Sequence, residues 1–97
     1  DLAFVLPENV SYAELESSLK TVSSPLVQEI ALFDVYRGTG LLEGMKSMAV
    51  KVVLQDMENT LTDEAVEPVM AKLVDAAAAV GAQLRAYSIE YVLKSVN

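Results

Sequence analysis

Asp34 and Tyr36 stand two positions apart and Arg37 follows directly, which brings a carboxylate, a phenol ring and a guanidinium into one short stretch. Groups of these types bind rather than react: a ring face stacks on planar ligands, and a carboxylate accepts hydrogen bonds from N–H donors. Asp63 and Glu64 are paired carboxylates of the kind used in acid–base work, but they follow Thr62 at the opening of an amphipathic stretch. The free amides and the dipole of a helix first turn account for both. Arg37 and Lys46 flank a segment carrying Gly38, Gly40 and Gly44. No helix begins there, so the glycines serve turn geometry with positive φ rather than a phosphate cradle, and the two basic residues are candidates for contact with a phosphate backbone. The chain has no His and no Cys, which removes imidazole acid–base catalysis, thiol nucleophiles, disulfides and zinc sites of ordinary type.

The elements that hold these groups must come from 97 residues, enough for one domain with a single two-layer core. Seven Lys and Arg against fourteen Asp and Glu leave a net charge of -7, which repels a phosphate backbone and lowers non-specific RNA affinity. No basic leader and no membrane-length apolar run is present, and the opening Asp1-Leu2 without a Met reads as a piece of a larger protein. The lack of Cys is compatible with a reducing cytoplasm. The only biased tract is the alanine run 76–79, which fits a closely packed helix.

Residues 2–6, closed by Pro7, read as a short strand with Leu2, Phe4 and Leu6 on one face. Ser11 followed by Glu14 is a capping-box pattern, and Leu15, Leu19 and Val22 repeat at helical spacing until Ser23, Ser24 and Pro25 stop the helix. Residues 26–36 read as a long strand with Phe33 and Val35 on one face and Asp34 and Tyr36 on the other. Residues 45–55 alternate, with Met48, Val50, Val52 and Leu54 opposite Ser47, Ala49, Lys51 and Val53. Beyond a polar connection at 56–60, Thr62 opens a second helix whose stripe is Val66, Val69, Leu73, Ala77 and Val80. Pro68 predicts a kink in it or a late start. Gly81 ends it, and residues 82–86 supply a last strand with Leu84 inward and Gln83 and Arg85 outward.

This order predicts an α+β ferredoxin-like β-α-β-β-α-β sandwich, a four-stranded antiparallel sheet with both helices on one face. Strand parity then collects Ala3, Val5, Asp34, Tyr36, Ser47, Ala49, Lys51, Val53, Gln83 and Arg85 on the open face. Small side chains around one ring are a layout for stacking unpaired bases, although RNA-recognition sheets usually carry two or three rings.

Four blocks occur in order at matching spacing: Asp1-Leu2-Ala3-Phe4-Val5, Phe33-Asp34-Val35-Tyr36-Arg37-Gly38, Glu43-Gly44-Met45-Lys46-Ser47 and Thr60-Leu61-Thr62-Asp63-Glu64. In these blocks the chain resembles the ferredoxin-fold anticodon-binding domains at the C-terminus of bacterial phenylalanyl-tRNA synthetase β subunits. The likeness covers 1–85, which sets a domain at 1–86 and leaves 87–97 as an extension with Ile89, Val92, Leu93 and Val96 at helical spacing. The loop Thr39-Gly40-Leu41-Leu42 lacks a proline often found there in the family.

The resemblance implies recognition of the anticodon stem-loop of phenylalanine tRNA, within a cytoplasmic α2β2 ligase made with the rest of the β subunit and the α subunit. It implies no catalysis and no cofactor in this domain, ATP and Mg being used elsewhere in the enzyme, and no DNA or membrane partner. Carried over by motif, the RNA-binding residues are Asp34, Tyr36 and Ser47, with Ala3, Arg37 and Lys46 as secondary candidates. Tyr36 would stack on an anticodon base, Asp34 would accept from guanine N1 and its exocyclic amine, and Ser47 would donate or accept beside it. Binding by the isolated chain should be weak, roughly tens of micromolar or worse. Two other functions share this fold: a small-molecule regulatory module, and an acylphosphatase-type enzyme, which needs an Arg in the first loop where residues 7–12 offer only Asn9.

Overall fold

The computed structural model describes residues 1–56 and 60–87. Its elements run β1 Leu2–Pro7, α1 Tyr12–Leu19, β2 Val27–Tyr36, β3 Met45–Leu54, α2 Asp63–Ala78 and β4 Gln83–Tyr87. The sheet is four-stranded in the order β2-β3-β1-β4, every pairing is antiparallel, and β2 and β4 form its edges. This is the expected ferredoxin-like arrangement. The expected helical spacing beyond Tyr87 lies outside the described residues.

Local chemistry sets the boundaries. Ser11 caps α1 with a complete capping box: its Oγ accepts from the Glu14 amide at 3.2 Å while the Ser11 amide donates to the Glu14 carboxylate at 2.8 Å. Thr62 caps α2 by accepting from the Ala65 amide. A helix start delayed by Pro68 is therefore not what forms. Pro68 sits inside α2, where its missing N–H removes one bond to the Glu64 carbonyl, and the cap and buried stripe hold the first turn regardless. At the other end the Ala82 amide donates to Ala77 and the Gly81 amide to Ala78, with Gly81 at φ +80, a Schellman closure.

Leu2, Phe4, Leu6, Met48 and Val50 meet Leu15, Leu19, Val66, Val69, Met70, Leu73 and Ala77 in one core between sheet and helices. Met70 joins the expected stripe of α2. Ser18 on α1 donates through its hydroxyl to the Ala76 carbonyl of α2, tying the helices together.

β2 departs from simple alternation. Val27 pairs with Leu54, Ile30 with Val52, Leu32 with Val50 and Val35 with Met48, all on the core side, with register breaks between Val27 and Glu29 and between Leu32 and Asp34. Core positions thus fall at intervals of three, two and three, and each break is a bulge that inserts one extra residue. Phe33 is the extra residue of the second break and stands 59% exposed, not turned inward with Val35 as regular alternation predicts. A third break lies between Ala3 and Phe4 against β4, where Arg85 is the extra residue. Leu84 pairs with Phe4 on the core side as expected, but edge-strand position leaves it 40% exposed.

Candidate nucleic-acid interface

The bulges decide which side chains share the open face. Asp34 pairs with Ala49, Ala49 with Ala3 and Ala3 with Ala86, so a row of three alanines crosses the sheet beside one carboxylate. The next row on the same face is Tyr36, Ser47, Val5 and Gln83. Cβ-only side chains across three strands make a floor on which a flat ligand can lie close to the backbone. Ala86 completes that floor and was not among the expected open-face residues. The Arg85 bulge shifts the parity of β4 by one and so brings Ala86 opposite Ala3.

Tyr36 is held from both sides. Its hydroxyl donates to the Thr39 carbonyl at 2.7 Å, and the Arg85 guanidinium carbon lies 5.8 Å from its ring centroid, within cation–π range. Tyr36 belongs to one edge strand and Arg85 to the other, so this contact passes over β3 and β1. Ser47, paired with Tyr36 between them, is only 5% exposed, whereas Asp34 is exposed and Tyr36 keeps 41% of its surface open to solvent.

The turn under Tyr36 needs glycine. Gly38 has φ +134, and a Cβ there would stand 3.6 Å from the tyrosine hydroxyl. Leu41 donates to the Gly38 carbonyl and Met45 to Leu42, while the Glu8 amide donates to Gly44 and fastens the loop to the end of β1.

The two secondary basic candidates fare differently from the central trio. Arg37 Nε donates to both carboxylate oxygens of Glu8, at 2.8 and 3.0 Å, so its charge is already shared in an exposed ion pair. Lys46 pairs with Leu6, on the parity of the helix side, and is 5% exposed. Strand parity does not place Lys46 on the open face, and its burial on the opposite side from Ser47 leaves little of it to meet a phosphate. Ala3 lies in the alanine row. Strand parity places Arg85 on this face but does not reveal its reach across the sheet to Tyr36, which depends on how the two edge strands are paired.

No group of His, Cys, Asp and Glu among the described residues could hold a metal ion, and no described helix is long and apolar enough to cross a membrane. What the face presents is an aromatic ring, a guanidinium, a carboxylate and a shallow floor of small side chains. A ferredoxin-like sheet with one face so furnished and the other closed by helices is an α+β domain whose open side is free to take a ligand. The ferredoxin-fold anticodon binding domain model matches residues 1–85, and the chain belongs to that family.

Relatives agree. The chain is 68% identical over 85 residues to the phenylalanine–tRNA ligase beta subunit of Neisseria meningitidis serogroup B, and 52% identical over 85 residues to that of Chromobacterium violaceum. Each match covers 88% of this chain and 11% of the relative. To the beta subunit of Xanthomonas axonopodis pv. citri it is 46% identical over 74 residues, 76% of this chain and 9% of the relative. The chain thus spans about a tenth of the length of the curated relatives it matches, in the part that binds the anticodon and not the part that catalyses.

Proposed function

We propose that this chain is the tRNA-reading module of an ATP-dependent phenylalanine–tRNA ligase, and that its open sheet face recognises the anticodon of phenylalanine tRNA. The observation that carries this is the row Asp34, Ala49, Ala3 and Ala86 lying beside Tyr36. A base laid on the alanine floor against the Tyr36 ring brings its hydrogen-bonding edge to the exposed Asp34 carboxylate at the sheet margin. Guanine offers N1–H and an exocyclic amine there, which a carboxylate accepts together; adenine has no matching donor pair and leaves a desolvated charge unpaired. Selection of this kind rests on neutral and acidic groups, so it is compatible with the net charge of -7.

Entry of the base has a local consequence. The Tyr36 ring carries the Arg85 guanidinium, so a stacked base either displaces that guanidinium or slides beneath it. Ser47 can then donate to or accept from the base beside Asp34. Arg85, where it is freed from the ring, provides a positive charge beside the site for a loop phosphate. The remainder of the β subunit, an α subunit and ATP with Mg belong to the whole enzyme in this proposal, working in the cytoplasm, with the catalytic centre outside this domain.

The test is an NMR titration of the chain with a phenylalanine tRNA anticodon stem-loop and with a copy whose first anticodon base is adenine in place of guanine. Shifts at Asp34, Tyr36, Ser47 and Arg85 that weaken for the adenine loop are expected. Equal shifts with both loops would remove base selection, and no shift at millimolar RNA would remove the anticodon assignment.

A further inference from the structure

Phe33 is a residue the fold does not use. Its neighbours Ile30, Leu32 and Val35 all pair on the core side, and with Phe33 left out of the count they alternate regularly with Ala31, Asp34 and Tyr36. The extra residue interrupts the ladder, breaks the register between Leu32 and Asp34, and contributes a ring that stands 59% exposed outside the core cluster. A bulge that loses ladder hydrogen bonds and exposes a large apolar side chain is unfavourable for the domain alone, and bulges recur where a strand re-aims a side chain at a ligand.

Resting on the anticodon reading of the open face, we propose that Phe33 is a second stacking platform, taking an unpaired base of the same RNA loop adjacent to the one held by Tyr36. Phe33 precedes Asp34 directly on β2, one of the two edge strands of the sheet. A base whose edge meets Asp34 therefore lies against the margin where Phe33 is exposed, and the strand crossing that margin must continue past it. A phenyl ring has no hydrogen-bonding group, so this position stacks any base and adds affinity without base choice. The two functions divide between neighbours: Asp34 selects and Phe33 holds.

The experiment places 2-aminopurine singly at each unpaired position of the anticodon stem-loop and titrates the RNA with the parent chain and with Phe33→Ala, Phe33→Trp, Asp34→Asn and Tyr36→Leu. Phe33→Ala is expected to weaken binding about five-fold to a hundred-fold, the span that loss of one stacked base covers. It should abolish quenching at one loop position, while Tyr36→Leu abolishes it at a different one. Phe33→Trp should keep affinity, and both Phe33 variants should unfold at the parent midpoint. If Asp34→Asn and Tyr36→Leu weaken binding and Phe33→Ala changes it less than two-fold, the second platform is overturned and the anticodon reading stands. If Phe33→Ala instead abolishes a self-association seen by sedimentation and leaves RNA affinity unchanged, the ring is a protein contact and the proposal is likewise overturned. If none of the substitutions alters binding, both readings fall together.

Discussion

The Arg85 guanidinium lies 5.8 Å from the Tyr36 ring centroid although the two residues stand on opposite edges of a four-stranded sheet, with β3 and β1 between them. Two features make the span possible. Arg85 occupies a bulge in β4, and the positions beneath its path are Ala3, Ala49, Val5 and Ser47, none large enough to stand in the way. The ring is fixed at its other end by the Thr39 carbonyl. The Tyr36 ring is thus held at its hydroxyl and partly covered by the domain's own cation.

This contact should be measurable as stability. In a double-mutant cycle of Arg85→Ala and Tyr36→Leu, followed by chemical denaturation, a coupling of about 0.5–1 kcal/mol is expected, as for a solvent-accessible cation–π pair. Zero coupling would mean that the guanidinium does not rest on the ring in solution.

Base choice should reside in one carboxylate. Asp34→Asn keeps the size of the side chain and exchanges half of its acceptor capacity for an amide donor. The guanine-containing loop should then bind roughly ten-fold or more weakly, while binding of the adenine-containing loop changes little. Calorimetry on the two loops reads the ratio, and a parallel loss for both would assign Asp34 to general affinity instead.

Salt dependence should be shallow. With Arg37 paired to Glu8 and Lys46 buried on the helix side, few cations remain to neutralise phosphates at this face. For about one to three phosphates on a single-stranded loop, log K should fall against log salt with a slope of roughly −0.7 to −2. A steep slope would require a basic surface elsewhere on the domain.

Tyr12 should set the alkaline limit of stability. Its hydroxyl is buried with no partner in hydrogen-bonding geometry, and burial first, then the neighbouring Glu16 carboxylate, push its pKa up to about 12. An unfolded tyrosine ionises near pH ~10. Between those values the folded chain keeps a proton that the unfolded chain releases. This contribution to stability is complete below pH ~10 and is lost as pH rises through about 12. Tyr12→Phe should flatten that decline. At neutral pH it should leave stability unchanged or raise it by up to about 1 kcal/mol, because an unsatisfied hydroxyl is removed. Denaturation curves at pH 7 and 11 test both statements.

Much of this was legible in the chain. Capping residues at Ser11 and Thr62, the alternation over β3 and the glycine closing α2 are local signals that act within a few residues, so they specify elements before any packing occurs. Strand parity put Asp34, Tyr36 and Ser47 on one face, and the sheet pairing has them there, with Ser47 nearly covered. What tertiary pairing alone decided was register. The core residues of β2 follow intervals of three, two and three, which no single period describes. Only the pairing of Ile30 and Leu32 with Val52 and Val50, and of Val35 with Met48, shows that Phe33 is expelled while Asp34 and Tyr36 stay on the open side. Likewise the bulge at Arg85 turned Ala86 into floor and Arg85 into a cover for Tyr36. A strand has a local period, but its phase relative to neighbours is settled by the side chains that must be buried together, and that constraint arises only when distant segments meet.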